Sequence, residues 1–90
     1  MIRSIDKDGL ERLAAHIKEL RKERNMSQEQ LAFSADISLS QLSRIEIAKH
    51  NTSFSSLTAI CRALNITMEE FFAGFDYPAI TSKKRVAKRK

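Results

Sequence analysis

The feature that most restricts this chain is a short device that recurs along it. SQEQ at 27–30, SLSQ at 38–41 and TMEE at 67–70 each place Ser or Thr three residues ahead of Gln or Glu. At that spacing the hydroxyl accepts from a backbone N–H in the first turn of a helix, and the longer side chain reaches back to the N–H of the capping residue. An apolar pair brackets each box as a hydrophobic staple: Met26 with Leu31, Ile37 with Leu42, Ile66 with Phe71. Ser53 marks a fourth start, with Leu57 at the staple position and Ser56 where Glu or Gln would complete a box. One such tetrapeptide is weak evidence. Three stapled boxes at helix-sized intervals commit the chain to short, closely packed helices. The strong backbone breakers are Gly9, Gly74 and Pro78, too few for the turns of a many-stranded β fold. The fold class read from the sequence is all-α.

Ahead of the boxes, Leu10, Leu13, Ala14, Ile17 and Leu20 recur at intervals of three and four, the stripe of one buried helix face. Lys18, Arg21, Lys22 and Arg24 crowd the end of that segment, where positive charge complements the helix dipole. The expected helices are 9–24, 28–34, 39–48, 54–64 and 68–73, with Gly74 as a stop. Residues 1–8 form an N-terminal extension, 9–74 the folded domain, and 75–90 a C-terminal segment ending in a basic tail. That tail, KKRVAKRK at 83–90, holds six basic residues and no acidic one, and is expected to be disordered. The chain carries a formal net charge of +5. Without the tail, ten Lys and Arg stand against eleven Asp and Glu, so the positive excess lies in residues 83–90 alone. A nucleic-acid function must therefore be argued from spacing rather than from overall charge.

Several classes are set aside by absence of pattern. Cys61 is the single cysteine and has no internal disulfide partner. The first twenty residues lack the continuous apolar core of a signal peptide, and no stretch is long enough to span a bilayer, so a cytoplasmic location is expected. His16 and His50 are far apart and match no zinc spacing; His16 is expected on a helix surface and Cys61 packed in the fourth helix. There is no Gly-rich phosphate loop and no nucleophile–base constellation. No catalysis, metal, cofactor or small-molecule ligand is expected.

The second and third expected helices carry the function. Leu31, Ala32 and Ala35 on one, Ile37 in the turn, and Leu42 and Ile45 on the other are the apolar positions. Burying Leu42 and Ile45 leaves Leu39, Ser40, Ser43 and Arg44 on the opposite side, with Ile47 further round. A helix offering such side chains can enter a major groove about 12 Å wide. Arg44 suits the O6 and N7 edge of guanine, and Leu39 a thymine methyl. Arg44 is equally open to a phosphate contact or to plain surface exposure.

These residues also carry a resemblance. The SQEQLA run, the Ile37–Ser38 turn exit, Arg44-Ile45-Glu46 and the LTAICRALNIT run resemble the phage-repressor and Cro (XRE-type) family of helix-turn-helix domains, over residues 10–72. Within it the chain is similar to small bacterial repressors and restriction–modification controller proteins. The resemblance implies a compact five-helix domain with its helix-turn-helix at 27–48. It implies base reading by Leu39, Ser40, Ser43 and Arg44. It implies phosphate contacts from Gln28, Lys49, His50 and Asn51, and a structural ion pair between Arg21 and Glu46. Three positions depart from the family pattern: Asp36 and Ala48 stand where glycine is usual, and Thr52 replaces a common proline. The third helix is accordingly expected to run to Ala48 or as far as Asn51.

Phe71, Phe72, Phe75, Tyr77 and Ile80 cluster near the C-terminus. Phe71 suits the core, and the surplus Phe72, Phe75, Tyr77 and Ile80 suggest a two-fold dimer interface, as in similar controller proteins. The leading reading is a homodimeric transcriptional regulator on double-stranded DNA, a repressor or autoregulator at a pseudo-palindromic operator. The competing reading is an antitoxin-like protein-binding module that also binds DNA. A stoichiometric protein partner on purification would favour it.

Overall fold

A computed structural model of the chain describes residues 6–75. Five helices follow one another: α1 Lys7–Glu23, α2 Gln28–Ala35, α3 Leu39–Glu46, α4 Phe54–Ala63 and α5 Met68–Ala73. Tyr77, Ile80 and the basic tail at 83–90 lie outside the described residues.

Each helix begins where a side-chain oxygen meets the third backbone N–H. Ser27, Ser38, Ser53 and Thr67 cap α2 to α5 in this way. Reciprocal boxes close at Ser27–Gln30 and Thr67–Glu70. The box expected at Ser38 is only half made. Ser38 accepts from the Gln41 backbone, but the Gln41 side chain turns away and donates to Ser56 Oγ at 3.1 Å, joining α3 to α4. The first helix starts two residues earlier than the apolar stripe suggests, because Asp6 accepts from Gly9 N at 3.0 Å and caps it. Lys7 and Asp8 are therefore helical rather than part of an extension.

The helix ends share a second device. Asn25, Asp36, Ala48 and Asn65 all take left-handed backbone angles, φ 54–61°. In each case the next residue's N–H bonds back to a carbonyl five residues earlier: Met26 to Arg21, Ile37 to Ala32, Lys49 to Arg44 and Ile66 to Cys61. These are Schellman closures, normally the place of glycine. Met26, Ile37 and Ile66 then pack on the core as partly buried side chains. One apolar residue thus closes one helix and staples the next, which fixes the angle between them. The third helix ends at Glu46 rather than running on to Ala48 or Asn51, because the left-handed turn at Ala48 stops it.

The core lies between the helices. Ile17, Leu31, Leu42, Ile45, Ile60, Leu64 and Phe71 are each at most 1% exposed, with Cys61 beside them. α2 packs against both α3 and α4, while α1 packs on α3 and α5 on α4. Polar ties fasten the helix ends. Arg24 Nε donates to the Leu64 carbonyl at 2.8 Å, holding the end of α4. His16 is not a free surface residue: it is half-buried, donates from Nε2 to the Phe71 carbonyl at 2.8 Å, and sets its ring edge-on to Phe71 with centroids 4.6 Å apart.

Candidate nucleic-acid interface

Two helices and their turn build the site. α2 is anchored by buried Leu31, Ala32 and Ala35. The left-handed Asp36 and half-buried Ile37 turn the chain into α3. On α3, Leu42, Ile45 and Glu46 face inward and are buried. The remaining face turns outward: Leu39 is 42% exposed, Ser40 and Arg44 are exposed, and Ser43 is half-buried. Ile47, at the C-cap, is 59% exposed beside them.

The inward face of α3 is held by a buried charge. Glu46 is 2% exposed, the one polar residue in the core among those described. Arg21 of α1 grips it with both arms, Nε to Oε2 at 2.8 Å and Nη2 to Oε1 at 3.0 Å, and donates from Nη1 to the Met26 carbonyl at 2.8 Å. The planar guanidinium matches the carboxylate in two parallel bonds, which fixes direction as well as distance. Glu46 Oε1 also accepts from Gln28 Nε2 at 2.9 Å, and Gln28 Oε1 accepts from Ser43 Oγ at 3.4 Å. One polar chain therefore runs from α1 through Glu46 and the first residue of α2 to the outer face of α3. Neither the Gln28–Glu46 bond nor the Ser43–Gln28 bond follows from helix periodicity. The i, i+3 spacing of Ser43 and Glu46 is the one sequence trace of it.

The loop after α3 carries exposed Lys49 and Asn51 and half-buried His50. Thr52 Oγ1 donates to the His50 carbonyl at 3.4 Å, and Ser53 then caps α4. Phe72 lies on α5 and Phe75 just after it, distant in sequence from α2 and α3. With Leu10, Leu13 and Leu57 they line a shallow apolar hollow. Phe72 is 46% exposed. Among the described residues no group of His, Cys, Asp and Glu gathers to hold a metal, and no helix is long and apolar enough to cross a membrane.

Two short helices crossing over a tight turn, the second presenting one face to solvent, define a helix-turn-helix protein. The chain belongs to the helix-turn-helix family: the family model matches residues 17–71, α2 and α3 included. The immunity repressor protein of Bacillus phage phi105 is 48% identical over 50 residues, a match covering 56% of this chain and 35% of that repressor. The chain thus spans about a third of the length of that curated relative. The restriction–modification controller protein C.Esp1396I, solved as a tetramer on its natural 35-base-pair operator, is 29% identical with a TM-score of 0.73, over 76% of this chain and 90% of that one. The controller protein C.AhdI from Aeromonas hydrophila is 29% identical with a TM-score of 0.69, over 72% and 98%.

Proposed function

We propose that the protein is a sequence-specific transcriptional regulator that binds double-stranded DNA as a homodimer, with α3 in the major groove. The observation that carries this reading is the two-sidedness of α3. Its inner face is locked by Leu42, Ile45 and the Arg21–Glu46 pair, and its outer face offers Leu39, Ser40, Ser43 and Arg44. Arg44 pairs with the O6 and N7 edge of guanine, and Leu39 meets a thymine methyl. Lys49, His50 and Asn51 lie in the loop that follows and contact phosphates. Gln28 adds its second amide hydrogen to a phosphate at the start of α2. The protein works without a cofactor and without catalysis, in the cytoplasm where the DNA lies. The apolar hollow at Phe72 and Phe75 pairs with its copy across a two-fold axis. That pairing spaces two recognition helices one helical turn apart, about 34–36 Å. The tetrameric operator complex of C.Esp1396I supports both the ligand and the multimer, and the immunity repressor of phage phi105 supports the regulatory role.

Selection from a random DNA pool by the intact protein and by Arg44→Ala tests the reading. The intact protein is expected to enrich a pseudo-palindrome, and Arg44→Ala to relax one base per half-site, at a cost of about 1–3 kcal/mol. Uniform loss of affinity for every sequence would move Arg44 to a phosphate. No enrichment from the intact protein would overturn the reading in favour of a protein partner.

A further inference from the structure

We propose that Ser43 reads DNA only as a hydrogen-bond acceptor, its polarity set by buried Glu46 through Gln28. The inference rests on α3 being the reading helix. A free serine hydroxyl carries one donor and two lone pairs, so it can bond to either kind of group on a base edge. Here the hydroxyl is not free. The polarity originates at Arg21, whose guanidinium can only donate. It donates one bond to each oxygen of Glu46, at 2.8 and 3.0 Å, and leaves a second lone pair on Oε1. The Glu46 side chain is 0% exposed, so water does not compete for those oxygens. A carboxylate so held can only accept, so the amide that meets Oε1 at 2.9 Å must present its nitrogen. That fixes which way the Gln28 amide faces. Its oxygen is turned toward α3, 3.4 Å from Ser43 Oγ. An amide oxygen also only accepts, so Ser43 commits its single O–H to Gln28.

Lone pairs alone then remain on Ser43 Oγ at the half-exposed outer face of α3. In the major groove the donors are the amino groups, N6 of adenine and N4 of cytosine. The keto oxygens of guanine and thymine accept. Ser43 bonds to an amino group and is repelled by a keto oxygen. The buried carboxylate thus converts an ambiguous reader into a directional one, without touching DNA itself.

The test uses the full chain on a site selected from a random pool. Ser43→Ala first identifies the base pair that Ser43 reads, as the position whose preference relaxes. At that pair, nucleobase analogues lacking the exocyclic amino group, or lacking the O6 or O4 oxygen, are compared by Kd. Loss of the amino group is expected to weaken the intact protein about 3–10-fold and to leave Ser43→Ala unmoved. Loss of the keto oxygen is expected to affect both proteins alike. Gln28→Leu, which frees the hydroxyl, should lose that distinction between amino and keto deletions, and Ser43→Thr should restore it in place of Ser43→Ala. Coupling of Ser43 to a keto oxygen in the intact protein would overturn the proposal, as would a selected site at which Ser43→Ala relaxes no position. The comparison of intact protein with Ser43→Ala decides the matter even if Gln28→Leu fails to fold. Enrichment of a defined site by the intact protein carries the DNA-binding reading by itself, so the wrong coupling sinks this inference alone. No enrichment sinks both.

Discussion

Ala48 carries the clearest local strain in the domain. It sits at φ 61° with a methyl side chain, whereas the other left-handed positions are Asn25, Asp36 and Asn65. Asn and Asp visit that region at modest cost, while other L-residues lose about 1–2 kcal/mol there. Ala48→Gly removes the strain and adds back some unfolded-state entropy, about 0.4–1 kcal/mol. The variant is expected to gain up to about 1 kcal/mol, a rise of about 4–8 °C in melting temperature per kcal/mol for a domain of this size. A melt by circular dichroism checks it. Asp36→Gly should gain less. Cys61 makes the opposite case, a side chain without strain or evident chemistry. Burial pushes its thiol up from the ordinary range, and it packs in the core.

Helices are joined here by polar ties that reach across the core, and the strongest is Arg21–Glu46. Removing Arg21 leaves a buried carboxylate with Gln28 as its remaining donor. Arg21→Ala is expected to cost about 3–5 kcal/mol, whereas replacing both partners with apolar residues, Arg21→Met with Glu46→Leu, should recover most of that loss. Urea unfolding of the three proteins measures it. A loss no larger than a surface ion pair gives, about 1 kcal/mol or less, would mean that α3 is held by packing alone.

How much of this was legible in the sequence varies with how local the cause is. The starts of α2 to α5 were legible, because a cap, its third residue and its staple lie within six positions. The start of α1 was missed: Asp6 caps it with Gly9 at the third position, so no box is written there. The end of α3 was missed because alanine is the best helix former and gives no stop signal. Its turn is fixed by the Lys49-to-Arg44 backbone bond. Gln41 reads locally as a box partner, yet Ser56 of α4 outcompetes Ser38. His16 and Gln28 were misplaced or incompletely read for the same reason, since their partners, Phe71 and Glu46, are distant in sequence. The outer face of α3 followed from periodicity, but its wiring to Glu46 did not.

Reading a pseudo-palindrome as proposed takes two copies of the chain on one stretch of DNA. The hollow between Leu10, Leu13, Leu57, Phe72 and Phe75 is where we expect them to meet. Sedimentation at micromolar concentration should give a dimer mass for the intact chain and a monomer mass for Phe72→Asp, which would bury a carboxylate in that contact. A monomeric intact chain without DNA would contradict the dimer. Which groove α3 enters is measured by methylation interference on the selected site. Methyl groups on guanine N7 project into the major groove, and those on adenine N3 into the minor groove. If α3 reads the major groove, N7 methylation should block binding in two symmetric clusters about one helical turn apart, and N3 methylation within those clusters should be tolerated. Interference confined to adenine N3, or absent at every guanine of the site, would contradict it.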